Sequence, residues 1–356
     1  TSVLAASSSK MVPRDQFPQI ISHRGASGYV PEHSLQAYQL AIDLKTDYIE
    51  PDLCLSKDGV FVVLHDLLLD DVTNVAEVPK FASKKSTKLV EGKNMTGFFV
   101  SDFLYEEIEE LFLKQRLPER TTLFNGVFKL PTFKEVMSMA HSQYESSGRL
   151  VGIYPELKHP GFFNSLGFHM EDMFLAELTA GGFDAYGPEV ANNIIDQVVP
   201  VVVQCFENAT LSYLRSKTTL PLIYLMNKVD NSWYTQANID AVATFATGLG
   251  AEKNYFANVD YSTAVSTIKM IHDAKLALVP WTFRADQDIN ARFHGDFALE
   301  NMYYYCCLGV DGVFTEFPDR SREVVDMMSN YTQWVASANL PVPTNQPLCN
   351  LDCASV

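Results

Sequence analysis

Two histidines, one arginine, one lysine and three carboxylates stand at the ends of short apolar runs in this chain. One run closes Ile21-Ser-His23-Arg24-Gly25, another Tyr48-Ile-Glu50-Pro-Asp52, and a third Val62-Val-Leu-His65-Asp66. A later run, Leu150-Val-Gly-Ile-Tyr-Pro-Glu156-Leu-Lys158, ends on an acid and a base. Side chains alternate along a strand, so Glu50 and Asp52 share one face. Carboxylates on one face repel unless a cation lies between them. By spacing alone the pair reads first as two solvated charges, and as a cation site only with a third ligand. Glu156 offers that ligand, and all-oxygen ligation favours Ca²⁺ or Mg²⁺ over zinc. His23 and His65 on the same rim can serve as general acid and base. Arg24 has the planar donor set that fits phosphate oxygens. Together these are the parts needed to cut a phosphodiester with one divalent ion. His33, beside Glu32, is set aside, because it stands at a helix start where either His33 or Ser34 can cap. His159, past the end of its run, is set aside as well.

Elements must bring these residues together. Apolar runs fall at 19–23, 48–53, 60–64, 150–154, 198–203, 222–225, 241–245, 276–281 and 312–315. Helical spacing of apolar residues appears at 34–44, 172–180, 209–217, 263–274 and 297–308. Alternating strand and helix imply a parallel sheet covered by helices. About eight strands without a G-x-G-x-x-G turn favour an α/β fold of the closed (β/α)8 TIM-barrel type. In such a barrel the C-terminal strand ends meet on one face, where active sites lie. Residues 67–130 fit no βα unit and read as a small insertion over one end. The barrel is expected to span 18–325, with an extension at 1–17 and a tail at 326–356.

The bulk composition narrows the partners. The chain has 356 residues, 47% of them apolar, and a formal charge of −16. So acidic a chain offers no basic face for nucleic acid and is not drawn to anionic membrane. No run reaches the roughly 18–20 apolar residues needed to span a bilayer. The opening Thr1-Ser-Val-Leu-Ala-Ala reads as what is left after removal of a targeting segment. Six cysteines and sequons at Asn94, Asn208 and Asn330 lean towards a secreted, periplasmic or extracellular location. Cys349 and Cys353 are close enough in sequence to close a small loop in the tail.

The order His-Arg-Gly, Glu-x-Asp, His-Asp and Glu-x-Lys resembles the glycerophosphodiester phosphodiesterase family. The string His23-Arg-Gly-Ala-Ser-Gly-Tyr-Val-Pro-Glu-His33 is most like its periplasmic bacterial branch and the secreted eukaryotic relatives. Val203-Gln-Cys205-Phe206 matches a Gln-Ser-Phe strand with Cys205 in place of Ser. Pro280-Trp-Thr-Phe283 and Gly312-Val-Phe-Thr-Glu-Phe-Pro-Asp319 match the last two strands. The resemblance implies that Glu50, Asp52 and Glu156 bind one divalent cation, Ca²⁺ ahead of Mg²⁺. It implies acid–base roles for His23 and His65, phosphate binding by Arg24 and Lys158, and a pocket wall at Trp281. The expected substrates are small glycerophosphodiesters such as glycerophosphocholine and glycerophosphoethanolamine. The alternatives are a phospholipase-like action on a lipid or inositol headgroup, or a non-catalytic binding module on the same barrel.

Overall fold

The computed structural model describes residues 18–183, 185, 199–227, 230–337 and 353–356. Its strands, in chain order, begin with β1 (Gln19–His23), β2 (Tyr48–Glu50), β3 (Asp52–Leu55) and β4 (Phe61–Val63). A separate hairpin, β5 (Ser86–Val90) and β6 (Lys93–Gly97), lies within the insertion. Then come β7 (Gly152–Ile153), β8 (Glu156–Leu157), β9 (Val203–Cys205) and β10 (Leu222–Met226). Last are β11 (Gly248–Ala251), β12 (Ala277–Leu278) and β13 (Gly312–Thr315). β2 runs on into β3 and β7 into β8, so each pair forms one stave of the wall. The neighbour order β13-β1-β2-β7 on one side and β12-β11-β10-β9-β8-β3 on the other gives eight parallel staves. A bridge between Phe283 and Thr315 closes the ring into a TIM barrel.

Prolines explain the two interrupted staves. Pro51 and Pro155 have no N–H and each removes one ladder bond. Their carbonyls still accept, from Glu156 N–H at 2.9 Å and Gln204 N–H at 2.9 Å. Each break sits beside a carboxylate that reaches the site. Below the site the lumen is filled by Ile21, Tyr48, Tyr154, Val202, Ile223, Val279 and Phe314. Gly152 leaves room there, because a Cβ at that position would lie 2.1 Å from the Tyr48 ring.

A helix follows every stave. Leu35–Asp43 starts where the Ser34 side chain accepts from Ala37 N–H, and it buries Ala37, Tyr38, Ala41 and Ile42. Phe133–Ser147 opens on a Thr132/Glu135 capping box and stops at left-handed Gly148. The insertion shares the core of the barrel through Phe81, Phe99 and Phe103 rather than forming one of its own. Among the described residues no helix is long and apolar enough to cross a membrane.

Several expectations need correction. The run at 60–64 is not a parallel stave: β4 turns back antiparallel on β3. The run at 241–245 ends the helix Gln236–Val242, and the stave is β11, six residues on. β11 reads Gly-Leu-Gly-Ala, which looks like a turn. Its glycines are needed because Cβ atoms would meet Ile223 and Leu225 at 2.7 and 2.4 Å. The boundary at 326 falls inside the helix Pro318–Ser337. Cys353 does not close a loop with Cys349: it is bonded to Cys307. The extension at 1–17 and residue 198 lie outside the described residues.

Candidate active site

The site grows from the turn after β1. Arg24 and Gly25 both take left-handed backbone, with φ of 59° and 82°. Gly25 must be glycine, since a Cβ would come within 2.6 Å of Ala37. Arg24 pays strain for its conformation, and the result is an N–H aimed at Glu50 Oε2, 2.8 Å away. The other Glu50 oxygen accepts from Gln204 Nε2 at 2.9 Å. β3 carries Asp52 and β8 carries Glu156, direct partners in the sheet.

Oxygens of Glu50, Asp52 and Glu156 lie within 4.8 Å of one another, and all three residues are buried. Burial and the neighbouring carboxylates push Glu50 well above its usual range. Burial pushes Glu156 up to about 8, against the pull of Lys158. Burial opposes ionisation of Asp52 too, but Lys158, His65, His33 and Arg24 hold it well below its usual range. The Asp52 Oδ2 is taken by His33 Nε2 at 2.9 Å and Arg24 Nε at 3.3 Å. Its Oδ1 is buried without a hydrogen bond. A buried, unpartnered carboxylate oxygen in a cluster of acids is costly unless a cation completes it. The donor set is all oxygen and fits a divalent cation of the Ca²⁺ or Mg²⁺ kind. With all three ionised, as ligation of a cation would require, the carboxylates against Arg24 and Lys158 leave one net negative charge. A divalent ion would turn that into one positive charge, the match for a monoanionic phosphodiester.

A cavity of about 100 Å³ opens at the C-terminal end of the barrel. His23, Arg24, Glu50, His65, Glu156 and Trp281 line it, with Gln204, Phe206, Leu225, Thr282, Arg284 and Phe314. Asp52 and Lys158 stand one layer back, against Arg24 and Glu156. The structure therefore brings together every residue singled out from the sequence. Lys158 Nζ is 2.8 Å from Glu156 Oε1, and the carboxylates keep it protonated despite burial. Trp281 is anchored by its ring N–H to Gly250 O at 2.8 Å and meets Phe206 edge-on at 5.8 Å.

The histidines are held by carboxylates. His23 Nδ1 is 3.0 Å from Glu316 Oε1. The His23 hydrogen bond, Arg284 and Arg120 outweigh burial and keep Glu316 ionised. An ionised carboxylate can only accept, so Nδ1 carries the proton and Nε2 keeps its lone pair. His65 Nδ1 pairs in the same way with Asp66 Oδ1 at 2.8 Å. Burial first, then Arg24, lowers His23 to about 3. Burial, Arg24 and Lys158 lower His65 to about 4. Both rings are neutral at neutral pH in this site.

Sequence reasoning missed Glu316, Gln204 and Glu32, and misjudged His33. The cap belongs to Ser34 alone. His33 is buried and joins Tyr38 to Asp52, with Nδ1 2.7 Å from the Tyr38 hydroxyl. The signal for Glu316 was present: a lone acid ending an apolar strand, as at Glu50. Cys205 still makes a hydrogen bond, from Sγ to Leu157 O at 3.3 Å.

Comparison with known proteins points to one family. Residues 23–320 match the family model described as the glycerophosphoryl diester phosphodiesterase family. A glycerophosphodiester phosphodiesterase of Arabidopsis thaliana, GDPD6, is 35% identical over 335 residues, 89% of this chain and 88% of that protein. One from Haemophilus influenzae is 29% identical, covering 85% and 88%. A phosphodiesterase of Oleispira antarctica, solved with its product sn-glycerol-3-phosphate, shares the fold. Its TM-score is 0.57 at 20% identity, covering 87% of this chain and 97% of that one.

Proposed function

The chain belongs to the glycerophosphoryl diester phosphodiesterase family and is an enzyme of that kind, and from that premise we propose that it hydrolyses small glycerophosphodiesters. Glycerophosphocholine and glycerophosphoethanolamine are the expected substrates, and glycerol 3-phosphate and the free alcohol the products. The observation that carries this reading is the convergence on one cavity of Glu50 and Glu156, clustered with Asp52 behind them, together with two neutral histidines and Arg24.

Glu50, Asp52 and Glu156 would hold one divalent cation, Ca²⁺ or Mg²⁺. Bound there, it would offset charge building on the phosphoryl oxygens. Arg24 would grip the phosphate and Trp281 would wall the alcohol. Lys158, set one layer back on Glu156, would act through that carboxylate rather than directly on the phosphate, the role the resemblance implies. His23 Nε2 would take the proton of the nucleophile, either a water or the glycerol hydroxyl of the substrate, the latter giving a cyclic phosphate that a water then opens to glycerol 3-phosphate. His65 would give a proton to the leaving alkoxide. A neutral His65 suits that role only once the anionic phosphodiester raises its proton affinity. The Cys307–Cys353 disulfide supports an oxidising, extracytoplasmic setting for this enzyme.

The test is release of glycerol 3-phosphate from glycerophosphocholine, run beside phosphatidylcholine liposomes. The reading expects release from the soluble diester, loss with EDTA and recovery with Ca²⁺ or Mg²⁺. Hydrolysis confined to the liposomes would favour a lipid headgroup enzyme instead.

A further inference from the structure

The insertion sends two arginines back to the barrel, both from the six residues Gln115-Arg116-Leu117-Pro118-Glu119-Arg120. Arg116 Nε lies 3.0 Å from Glu32 Oε2. Arg120 Nη2 lies 2.5 Å from Glu316 Oε2. Neither carboxylate belongs to the chemistry directly, yet each grips a residue that does. Glu32 Oε1 is 2.8 Å from Arg24 Nη1, and Glu316 Oε1 is 3.0 Å from His23 Nδ1. We propose that Arg116 and Arg120 are positioning residues of the active site, fixing Arg24 through Glu32 and His23 through Glu316. The proposal rests on the hydrolytic reading above.

The division of oxygens is the same in both carboxylates. One oxygen serves a residue of the catalytic turn and the other an arginine of the insertion. A carboxylate that keeps only one anchor can rotate about its last bond. A second anchor on the far oxygen fixes its plane, and so the direction in which it accepts from the site residue. Glu316 and Glu32 are both buried, where such contacts are strong.

Arg120 is itself well fastened. Nε and Nη2 meet Asp286 at 2.7 and 3.1 Å, and Nη1 donates to Ser27 O at 3.0 Å. Ser27 in turn donates from its hydroxyl to His23 O at 2.7 Å. One guanidinium therefore ties the insertion to Glu316, to the loop after β12 and to the turn that carries His23. A lysine has one ammonium and cannot reproduce that fork. Arg284 also reaches Glu316, at 2.9 Å, but on the oxygen that His23 uses. It neutralises the carboxylate without fixing its far side.

The two arginines act on different residues, so their loss should read differently. Arg120→Ala should lower kcat on glycerophosphocholine about 10- to 100-fold, the scale of a small misplacement of a reacting group. Its KM should barely change. Arg116→Ala loosens the phosphate-binding Arg24 and should raise KM. Glu119→Ala, exposed on the same loop, should leave both unchanged. In a His23→Ala background Arg120→Ala should cost nothing further, because its effect runs through His23. If Arg120→Ala does not fold, Arg120→Lys takes its place and should show a smaller loss of kcat in the same direction. Wild-type kcat in a folded Arg120→Ala or Arg120→Lys, or the full loss repeated in the His23→Ala background, overturns the proposal alone. A wild-type enzyme that releases no glycerol 3-phosphate overturns the hydrolytic reading itself.

Discussion

His23 and His65 line the same cavity and each donates a hydrogen bond from Nδ1 to a carboxylate, but the two carboxylates are held differently. The partner of His23, Glu316, comes from the last stave and is 2% exposed, between Arg120 and Arg284. The partner of His65 is its own neighbour, Asp66, with a side chain 38% exposed. One ring is clamped by a distant, dry ion network and the other by a local contact open to water. A base that must take one proton from a fixed direction gains from the clamp. An acid that must be reloaded between turnovers gains from access to solvent. The contrast favours His23 as base and His65 as acid.

The largest effects come from removing either ring. His23→Ala and His65→Ala should each lower kcat by about 10²–10⁴-fold, the usual worth of a general acid or base. Near wild-type turnover in either folded variant would remove that residue from the chemistry. The contrast itself is sharpened one layer out. Glu316→Gln should cost at least about 10²-fold, since an amide can donate to Nδ1 and reverse the tautomer, whereas Asp66→Asn should cost less than about tenfold. Equal losses in steady-state kcat would break the comparison. The smallest effect is on titration. Both imidazoles are depressed in the folded state, so lowering the pH below the ordinary histidine value charges them only at a cost. That contribution favours the fold above about pH 6.5 and is lost as the pH falls towards about 4 and then about 3. In an NMR titration of EDTA-treated protein His65, the more open ring, should protonate at the higher pH. Protonation of His23 first would contradict the difference in burial.

The barrel and the inner ring of residues were legible in the sequence because both are local signals. Strand–helix alternation repeats along the chain, and His23, Glu50, Asp52, His65 and Glu156 each end an apolar run. What holds them was not legible, because the partners are far apart in sequence. Glu316 lies 293 residues from His23 and Arg120 lies 196 from Glu316. Among apolar neighbours a lone Glu or Arg looks like a surface charge until the fold buries it. His33 failed for a related reason: its position before a helix fits a cap, and only packing turns it towards Asp52. β11 was missed because its glycines, required by close packing against β10, imitate a turn.

Hydrolysis is expected to depend on Glu50, Asp52 and Glu156 acting as one cation site. The direct measurement is a stepwise Ca²⁺ titration of EDTA-stripped protein, at a concentration well above the Kd, with glycerol 3-phosphate release from glycerophosphocholine read at each step. The expected result is no release at the start, a rise in proportion to added ion, and a plateau at one ion per chain. Glu156→Gln should show no such rise under the same conditions. Full release from the stripped protein, or a Glu156→Gln variant with the wild-type titration curve, would contradict that dependence.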